Sequence, residues 1–437
     1  MKLTLRMALC LFLSGISAWS HDPSDPLAST AGATSNKLIS LFPNLYGPTG
    51  IVLPNTEHAA HFTSAFQSNF SPLVGSIVNQ LTSIPIPSPA SGFLYSFDSS
   101  LGVYTRSGQS FGPIFAERAE TIGKNKFLAG ISYQHFNFDK LDGLNIKKVP
   151  AIFQHQPAAN PEFQKDIITT DNAFDIQVSQ TVAYFTYGVT DRLDVSVAVP
   201  MATANIEIVS DATIRRIGTS SNPEIHYFDS PYPNKDRQTF AASGSARGLG
   251  DVLVRAKYTA VRWKNGALAV GLDARMPTGD EYNFLGTGSV GARPFTAVSF
   301  RRGNFSPHAN FAYWWNGDSI LAGNVQAATK GNQSDQLQYT LGFDYGITRK
   351  FTVAADYLGQ QQIQGNRVKL LNYTAANGTI FPNVQVDRAR LNQNAASLGV
   401  KANPIGELLV TFNVLLALDS NGLRDRVAPM IGLSYTF

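Results

Sequence analysis

The chain has 437 residues and is poor in charge, since Asp, Glu, Lys and Arg make up 15% of it against roughly a quarter in soluble domains, while aromatic residues make up 11%. The formal net charge of +4 gives no reason to expect nucleic acid as a partner. The single cysteine, Cys10, lies in the first predicted element, so we expect no disulfide, no cysteine-based metal site and no cofactor in the rest of the chain.

Residues 1–20 have the features of a secretory signal peptide. Lys2 and Arg6 precede an apolar run from Met7 to Leu13, and small residues follow it. This run is too short to span a membrane as a helix. We predict cleavage after Ser20, with Ala18 as the second choice. Its removal would leave 33 basic residues (35 − 2) against 31 acidic ones. Export, with no later run of 18 apolar residues, favours the outer membrane of a Gram-negative bacterium.

Residues 21–126 form a predicted amino-terminal region before the barrel. Apolar residues from Phe62 to Leu81 have helical spacing, interrupted by Pro72. A proline-rich stretch, IPIPSPASG, and two short strand-like pieces follow. This region is expected to plug the lumen or to remain a periplasmic cap, and we favour partial insertion. Glu117, Arg118 and Glu120 in AERAE either tie the plug to the wall or are solvated linker charges.

Alternation with period two dominates after residue 126, and it predicts twelve strands. In QLQYTLGFDY, for example, Leu337, Tyr339 and Leu341 share one face. The predicted strands lie near residues 127–138, 175–187, 193–207, 250–263, 267–277, 290–301, 305–315, 336–347, 351–361, 394–403, 407–418 and 426–437.

The connections between these strands alternate between long and short. The short ones are GVTDR, KNG, RGN, TRK and PIGE. Bacterial outer-membrane barrels have short periplasmic turns and longer outer loops. The sequence therefore predicts an all-β fold: a 12-stranded antiparallel transmembrane β-barrel over residues 127–437, preceded by a plug or periplasmic segment with a short helix.

The last predicted strand places apolar side chains at every second position, namely Ile431, Leu433, Tyr435 and Phe437. We expect them to face lipid while this strand pairs with the first one, because lipid offers no partner for backbone groups. The pattern also resembles the C-terminal signature that the barrel-assembly machinery of Gram-negative bacteria recognises, which makes that machinery an expected partner.

Three stretches, GVTDRLDVSVAVP, GLGDVLVRAKY and GLDARMPTGDEYNFLGTG, lie between residues 188 and 288. They resemble an outer-membrane barrel family named for a phenol-degradation meta-pathway. The resemblance implies export or uptake of small, often aromatic compounds and brings no catalytic residues. SFGPIFAERAETIG lies outside the family pattern. A looser likeness to the long-chain fatty acid channels rests on architecture alone.

If the apolar face meets lipid, the alternate face lines the lumen. The candidate lumen residues are Arg255, Lys257, Asp273, Arg275, Arg293, Arg301, His308, Asp344 and Asp356. Counting from KNG pairs Lys257 with Asp273, and Arg255 with Arg275. This basic stripe would either attract anionic solutes such as aromatic carboxylates or brace the wall by pairing with carboxylates such as Asp194, and we favour bracing. His308 is expected to be a hydrogen-bonded wall residue.

Three further features lead to expectations. Pro294 and Pro307 each remove a ladder donor and predict local bulges. Arg262 falls on the lipid face, close to the interface. Asp280 and Glu281 would bind a divalent cation or bridged lipopolysaccharide, or be solvated loop carboxylates, which is the commoner case.

These features favour a channel for the passive passage of small, hydrophobic or aromatic solutes, embedded among outer-membrane lipid and lipopolysaccharide. The alternative is a structural or adhesive barrel without transport. An outer-membrane lipase is less favoured, because such an enzyme needs a Ser activated by a His on the outer wall and the sequence lacks the His-x-Ser arrangement. We therefore expect no enzymatic activity.

Overall fold

The structure is a computed structural model. It describes residues 37–42, 44–46, 50–55, 57, 59, 62, 73, 76–77, 80–81, 84–89, 92–98, 103–106, 110–157, 160–229, 235–324 and 329–437, with only the backbone of 96–98, 103–106 and 324. The predicted signal peptide lies outside these residues. Among the described residues, no helix is both long and apolar enough to cross a membrane.

Twelve antiparallel strands close into a barrel, as the alternation predicts. Numbered along the chain, they are β3 (Phe127–Phe138), β7 (Ile167–Gly188), β8 (Leu193–Arg215), β10 (Val252–Trp263), β11 (Gly266–Met276), β12 (Gly291–Phe300), β13 (Phe305–Asn316), β16 (Gln336–Thr348), β17 (Phe351–Thr374), β18 (Ile380–Ala402), β19 (Leu408–Ala417) and β21 (Val427–Thr436). Each pairs with the next, and β21 pairs with β3 to close the ring.

The remaining described strands are not part of the twelve-stranded ring. They are β1 (Tyr95–Asp98), β2 (Val103–Arg106), β4 (Lys140–Leu141), β5 (Leu144–Asn145), β6 (Val149–Gln154), β9 (Arg237–Leu249), β14 (Asp318–Asn324), β15 (Thr329–Asn332) and β20 (Leu423–Arg424). β6 and β9 continue the sheet beside the outer parts of β7 and β8. Among the described residues there are three 3-10 helices outside the strands, Leu38–Ser40, Phe163–Lys165 and Glu281–Asn283.

The barrel has a short-turn end and a long-loop end. At the short-turn end, the seam between the last and first strands is held by two backbone hydrogen bonds, in which Phe437 N donates to Phe127 O at 2.7 Å and Phe127 N donates to Phe437 O at 3.3 Å. The side chains of Ile431, Leu433, Tyr435 and Phe437 are all exposed on the outside. The exterior of this seam is therefore apolar, as a lipid-facing wall requires.

The alternation of β7 and β8 reverses along their length. In the short-turn half, outward side chains are apolar and exposed, as at Phe185, Tyr187 and Val195. In the long-loop half, outward side chains are polar, as at Asp171, Glu207 and Asp211, while the inward side chains of Phe174, Ile176, Ile206 and Ile208 are buried. One half of the hairpin thus has a surface suited to lipid, and the other has a surface suited to water around a dry core.

Described residues of the amino-terminal region fill this dry core. The Phe42 ring lies 6.4 Å from the Phe174 ring and 6.2 Å from the Phe284 ring. The Tyr46 hydroxyl donates to Asn172 Oδ1 at 3.1 Å. Leu73, Ile77 and Leu81 are helical and buried, in agreement with the predicted helical spacing. Phe66, Phe70, Val74 and Val78 of that pattern lie outside the described residues. The division of the chain into a plug region and a barrel domain stays a prediction.

Two features correct the predicted register of the hairpin formed by β10 and β11. The turn leaves only Lys264 and Asn265 between the paired Trp263 and Gly266, and a β-bulge shifts the pairing between Thr259 and Val261. Each feature moves the register by one residue. Arg255 therefore lies opposite Asp273, and the predicted pairs of Lys257 with Asp273 and of Arg255 with Arg275 are wrong.

The same bulge turns Arg262 away from lipid. Arg262 lies opposite Ala267, whose side chain is buried, and its Nη2 donates to Thr121 Oγ1 at 3.2 Å. The predicted lipid-facing position of Arg262 is therefore wrong.

The predicted bulges at the prolines are also absent from the described strands. The ladder of β12 with β13 keeps one register on both sides of Pro294, with a gap in pairing at Arg293 and Pro294. Pro307 lies opposite Phe343 in an unbroken register. The missing donor at Pro294 is thus accommodated by a gap in the ladder and not by an extra residue.

Candidate lumen site

Residues 110–122, the lumen segment, follow the inner wall near the short-turn end. In chain order, Phe111 N donates to Thr352 Oγ1 on β17 at 3.1 Å, Glu117 N to Asn310 Oδ1 on β13 at 2.6 Å, Ala119 N to Ser299 Oγ on β12 at 2.9 Å, and Ile122 N to Asp194 Oδ2 on β8 at 3.1 Å. Wall side chains thus satisfy backbone donors that have no strand partner. The segment is held at many points and not by one anchor.

Glu117 connects the lumen segment to the wall cations. Its Oε1 accepts from Lys257 Nζ at 2.8 Å, and its Oε2 accepts from Arg255 Nη1 and from Ser88 Oγ, the latter at 2.6 Å. Lys257 Nζ also donates to the carbonyl oxygens of Arg118 at 3.0 Å and Glu120 at 2.9 Å. Such buried, hydrogen-bonded charge pairs are costly to break because removing one partner leaves an uncompensated charge.

Arg118 forms the second charged contact of the lumen segment. Its Nη2 donates to Asp344 Oδ2 at 3.1 Å, and Asp344 also lies 3.4 Å from His308 Nδ1. His308 Nε2 lies 2.6 Å from Asp356 Oδ1, so both ring nitrogens of His308 face carboxylates. Gly112 has φ +86°, and a Cβ there would lie 2.6 Å from the Arg118 guanidinium. Glycine therefore makes room for this arginine.

The opposite side of the lumen is contacted by residues 84–89. Gln134 Nε2 on β3 donates to Pro85 O at 2.9 Å, and Thr186 Oγ1 on β7 donates to Pro89 O at 2.7 Å. Proline carbonyls can accept these bonds although proline has no N–H to satisfy. The lumen near the short turns is therefore contacted by amino-terminal residues on both sides.

A cavity of about 290 Å³ lies at mid-height in the lumen. Phe115 of the lumen segment lines it, together with Leu81 and Ile84, and the wall contributes Gln338, Gln360 and Arg424 among others. Its volume is at the lower end of small-molecule pockets, which are roughly 300–1,000 Å³.

Three arginines that line this cavity alternate with two aromatic rings, of which Trp314 also lines it, and together they form the Arg–aromatic ladder. Arg255 lies 5.0 Å from the centre of the Phe295 ring, and Arg293 lies 6.0 Å from that ring and 5.4 Å from the Trp314 ring. Arg275 follows, 5.2 Å from the Trp314 ring. These are cation–π distances, and they hold the guanidinium groups against the rings.

The predicted lumen residues are brought together, and their charges are largely paired. Asp273 accepts from Arg255 Nε at 2.6 Å and from Arg293 Nε at 2.7 Å, and Arg301 lies 3.7 Å from Glu120. The bracing role favoured from the sequence therefore agrees with this geometry for Arg255, Lys257 and Arg293. The lumen also contains four residues that were missed, namely Trp314, Phe295 and Lys401 on strands and Asp251 just before β10, although inward alternation places them there.

A second buried polar cluster lies among the outer loops. Asp166 Oδ1 accepts from the backbone N–H groups of Ile217 and Gly218 at 2.8 Å, and its Oδ2 lies 2.7 Å from His226 Nδ1. Burial raises the pKa of Asp166, but hydrogen bonds from His226 and Thr219 outweigh it and hold this pKa below its usual value. The carboxylate therefore joins two loops in its ionised form.

The loop carboxylate Asp280 is paired. Lys37 Nζ donates to Asp280 Oδ2 at 2.5 Å, and Asp280 Oδ1 accepts from Tyr282 N at 3.0 Å as a helix cap. Burial raises the pKa of Asp280, whereas Lys37 lowers it, with a net lowering. Among the described residues, no three His, Cys, Asp or Glu side chains are arranged to hold a metal ion.

The chain is similar to several solved structures at low identity. An outer membrane channel from Pseudomonas putida F1 is 12% identical with a TM-score of 0.45, over 73% of this chain and 98% of that chain. A FadL homologue from Pseudomonas aeruginosa is 9% identical with a TM-score of 0.31, over 72% and 91%. The toluene transporter TbuX of Ralstonia pickettii is 9% identical with a TM-score of 0.27, over 72% and 90%. These likenesses are too remote to argue function.

No curated protein matches the sequence significantly. A family model does match, over residues 158–387, which is more than half of the 437 residues. The matched range includes the four strands that carry the Arg–aromatic ladder and the long hairpin of β7 and β8. The chain therefore belongs to the family described as "Putative MetA-pathway of phenol degradation".

Proposed function

We propose that the protein is an outer-membrane channel for the passive passage of small, hydrophobic or aromatic compounds, gated by the lumen segment. The observation that carries this proposal is the mid-lumen cavity, which lies inside a closed barrel with an apolar exterior in its short-turn half. The family description names phenol degradation, which fits an aromatic solute.

The position of the lumen segment supports gating. Phe115 lines the cavity, while the neighbouring Glu117 is held by Lys257 and Arg255 on the wall. A solute that leaves the cavity toward the short turns meets this segment first. Passage therefore requires local displacement of residues 110–122. The mechanism is diffusion through the lumen, with lipid and lipopolysaccharide around the wall as expected surroundings.

A second candidate is a structural or adhesive barrel without transport. It is favoured by the dry core of the long-loop half, where Phe42, Phe174 and Phe284 pack together inside the hairpins. A core of this kind resembles a folded soluble domain and would present the outer loops as a stable surface. We assign no catalytic role to either candidate.

The test is a reversible lock between the lumen segment and the wall. Ala119 N donates to Ser299 Oγ at 2.9 Å, so cysteines at these two positions lie within reach of a disulfide. The only natural cysteine, Cys10, lies in the predicted signal peptide. We expect Ala119→Cys/Ser299→Cys to lose solute flux into liposomes when oxidised and to regain it on reduction, because the segment can move only when the bond is open.

Each single cysteine variant serves as a control and should respond to neither oxidant nor reductant. Flux that is equal in the oxidised and reduced double variant would reject gating by this segment. Complete absence of flux in the wild type and in the reduced variant would reject the channel and favour the structural barrel.

A further inference from the structure

The last arginine of the Arg–aromatic ladder, Arg275, has a more distant carboxylate partner than the other two arginines. Arg255 and Arg293 both donate to the carboxylate of Asp273, and Arg255 also contacts Glu117. Arg275 has Asp251 as its carboxylate partner, but at 3.8 Å and without a hydrogen bond. Arg275 therefore differs from Arg255 and Arg293, because it has no hydrogen-bonded carboxylate partner among the described residues.

The Asp251 carboxylate accepts hydrogen bonds from donors other than Arg275. Its Oδ2 accepts from Thr287 N at 2.8 Å and from Thr287 Oγ1 at 2.6 Å, and its Oδ1 accepts from Gly279 N at 3.1 Å. These bonds hold the carboxylate against the loop that follows β11. They explain why Asp251 does not form a close pair with Arg275.

The bonds that Arg275 does make are to neutral oxygens. Its Nη2 donates to Asn316 Oδ1 at 2.9 Å, to Ser289 Oγ at 3.2 Å and to Gln333 Oε1 at 3.3 Å. Among the described residues, its Nε is buried without a hydrogen-bond acceptor. These contacts fix the orientation of the guanidinium without neutralising it. A fixed guanidinium of this kind suits the planar oxygens of a carboxylate.

The surroundings of Arg275 in the cavity are largely apolar. Trp314 stacks on it, and Pro200, Phe284 and Leu285 line the same cavity. A volume of about 290 Å³ holds one small ring with its substituent. The cavity thus combines one cationic group with flat and aliphatic walls.

We propose that Arg275 and Trp314 form a subsite for small aromatic monocarboxylates. The carboxylate pairs with Arg275, and the ring lies among Trp314 and the apolar lining. This inference rests on the proposed function, because it names the class of solute that a channel would select. It differs from a general anion filter, since Arg255 and Arg293 are occupied by Asp273.

The test compares three probes by calorimetry on the full chain in detergent: benzoate, the neutral benzamide and the non-aromatic cyclohexanecarboxylate. A carboxylate that gains a charge-assisted pair in a partly desolvated site is expected to bind at least about tenfold more tightly than its amide. We therefore expect benzoate to exceed both benzamide and cyclohexanecarboxylate in the wild type.

Variants assign this preference to the two residues. Arg275→Gln should bring benzoate down to the level of benzamide, Arg275→Lys should retain part of the difference, and Trp314→Leu should abolish the preference for the aromatic ring. Lys369→Gln is the matched control, because Lys369 pairs with Asp387 at 3.0 Å on an exposed part of the hairpin of β17 and β18.

Equal binding of benzoate and benzamide by the wild type, or a preference that survives Arg275→Gln, would overturn the inference. This result is distinct from failure of the proposed function. A benzoate preference in detergent without flux in liposomes rejects the channel and keeps the subsite, whereas flux without the preference keeps the channel and rejects the subsite.

Discussion

At the scale of single residues, buried carboxylates organise this molecule because one carboxylate can accept several hydrogen bonds at once. Asp166 accepts from the backbone N–H groups of Ile217, Gly218 and Thr219, and it contacts His226. It lies just before β7, while its partners lie in the loop after β8. One side chain therefore holds two outer connections together.

Acid is expected to release this contact. The pKa of Asp166 is held below the usual value of about 3.9 by its hydrogen-bond donors, despite burial. Its stabilisation is therefore fully present above about pH 4 and is lost as the pH falls through the lowered pKa of the folded state. Hydrogen exchange at residues 217–219, corrected for the intrinsic pH dependence, should show protection at pH 7 that disappears in strong acid.

Asp166→Asn should lose this pH dependence, because the amide does not ionise and cannot replace both carboxylate acceptors. At pH 7 we expect its amides at residues 217–219 to lose about 2 kcal/mol of protection, as for a hydrogen bond to a charged group. Asp175→Asn, at an exposed carboxylate paired with Lys147, is the control and should leave these amides unchanged. Unchanged protection in Asp166→Asn would contradict the role given to Asp166.

At the scale of elements, the lumen segment is a stretch without regular structure that the wall holds in place. Replacing Glu117 by Gln would remove the charge that Lys257 and Arg255 share. Asp194, 3.7 Å from Lys257, and Asp273 would remain as partial substitutes. We expect a loss of about 3 kcal/mol in the free energy of unfolding and faster hydrogen exchange in residues 110–122.

Glu162→Gln is the matched control for this substitution. Glu162 pairs with Lys165 at 2.5 Å, but this pair is exposed, so its removal should change stability by less than about 1 kcal/mol. Urea-induced unfolding followed by electrophoretic mobility measures both variants. Equal effects of the two substitutions would mean that Glu117 does not fasten the lumen segment.

The strands show which elements the alternation could predict. β3 spans Phe127–Phe138, the range predicted, although its apolar side chains change from the outward to the inward face after Tyr133. β7 and β8 were predicted too short, near 175–187 and 193–207, and they extend over Ile167–Gly188 and Leu193–Arg215. Their outer halves carry polar side chains on the outward face, and the predicted strands end within these halves.

Register and loop contacts were harder to predict than strands. A two-residue turn and a single bulge place Arg255 opposite Asp273, two residues away from the predicted register, and the bulge turns Arg262 inward. The letters KNG give no clear signal of either feature. The stretch near residues 362–393 was expected to be a long loop, yet β17 and β18 continue to Thr374 and from Ile380. The outward side chains of this stretch are polar, so the search for apolar alternation did not detect these strands.

For the candidate site, the wall residues were predictable and AERAE was one of the two interpretations for their partners, but the individual pairs were not predictable. Inward positions such as Arg255, His308 and Asp344 follow from period two. Their bonds to Glu117 and Arg118 depend on where an irregular segment runs, which no repeat in the sequence encodes. Trp314 was missed for a different reason, because a large apolar side chain on a barrel strand is first expected to face lipid.

At the scale of the whole molecule, the barrel depends on closing one seam. Phe437 joins β21 to β3 through its backbone, and its ring lies 4.7 Å from Tyr435 and 5.9 Å from Phe127. We expect Phe437→Ala to lower the folded fraction during assembly and to reduce stability by about 1 kcal/mol through loss of the ring contacts. Heat-modifiable mobility of the membrane fraction measures the folded fraction.

Phe311→Ala is the control, because both rings are 53% exposed but Phe311 lies in the middle of the wall. If Ile431, Leu433, Tyr435 and Phe437 act as an assembly signal, only the change at Phe437 should slow assembly. An equal assembly defect in both variants would show that exposed aromatic area matters and that position does not.

The course of the chain before β3 has a topological consequence. The described residues between Lys37 and Phe62 pack in the long-loop half, residues 110–122 follow the wall near the short turns, and β3 then begins at Phe127. The described parts of the amino-terminal region thus contact the inside of the ring near both of its ends. Because these contacts lie at both ends, we expect a passage to open by rearrangement of the described amino-terminal residues inside the barrel and not by their release as one body.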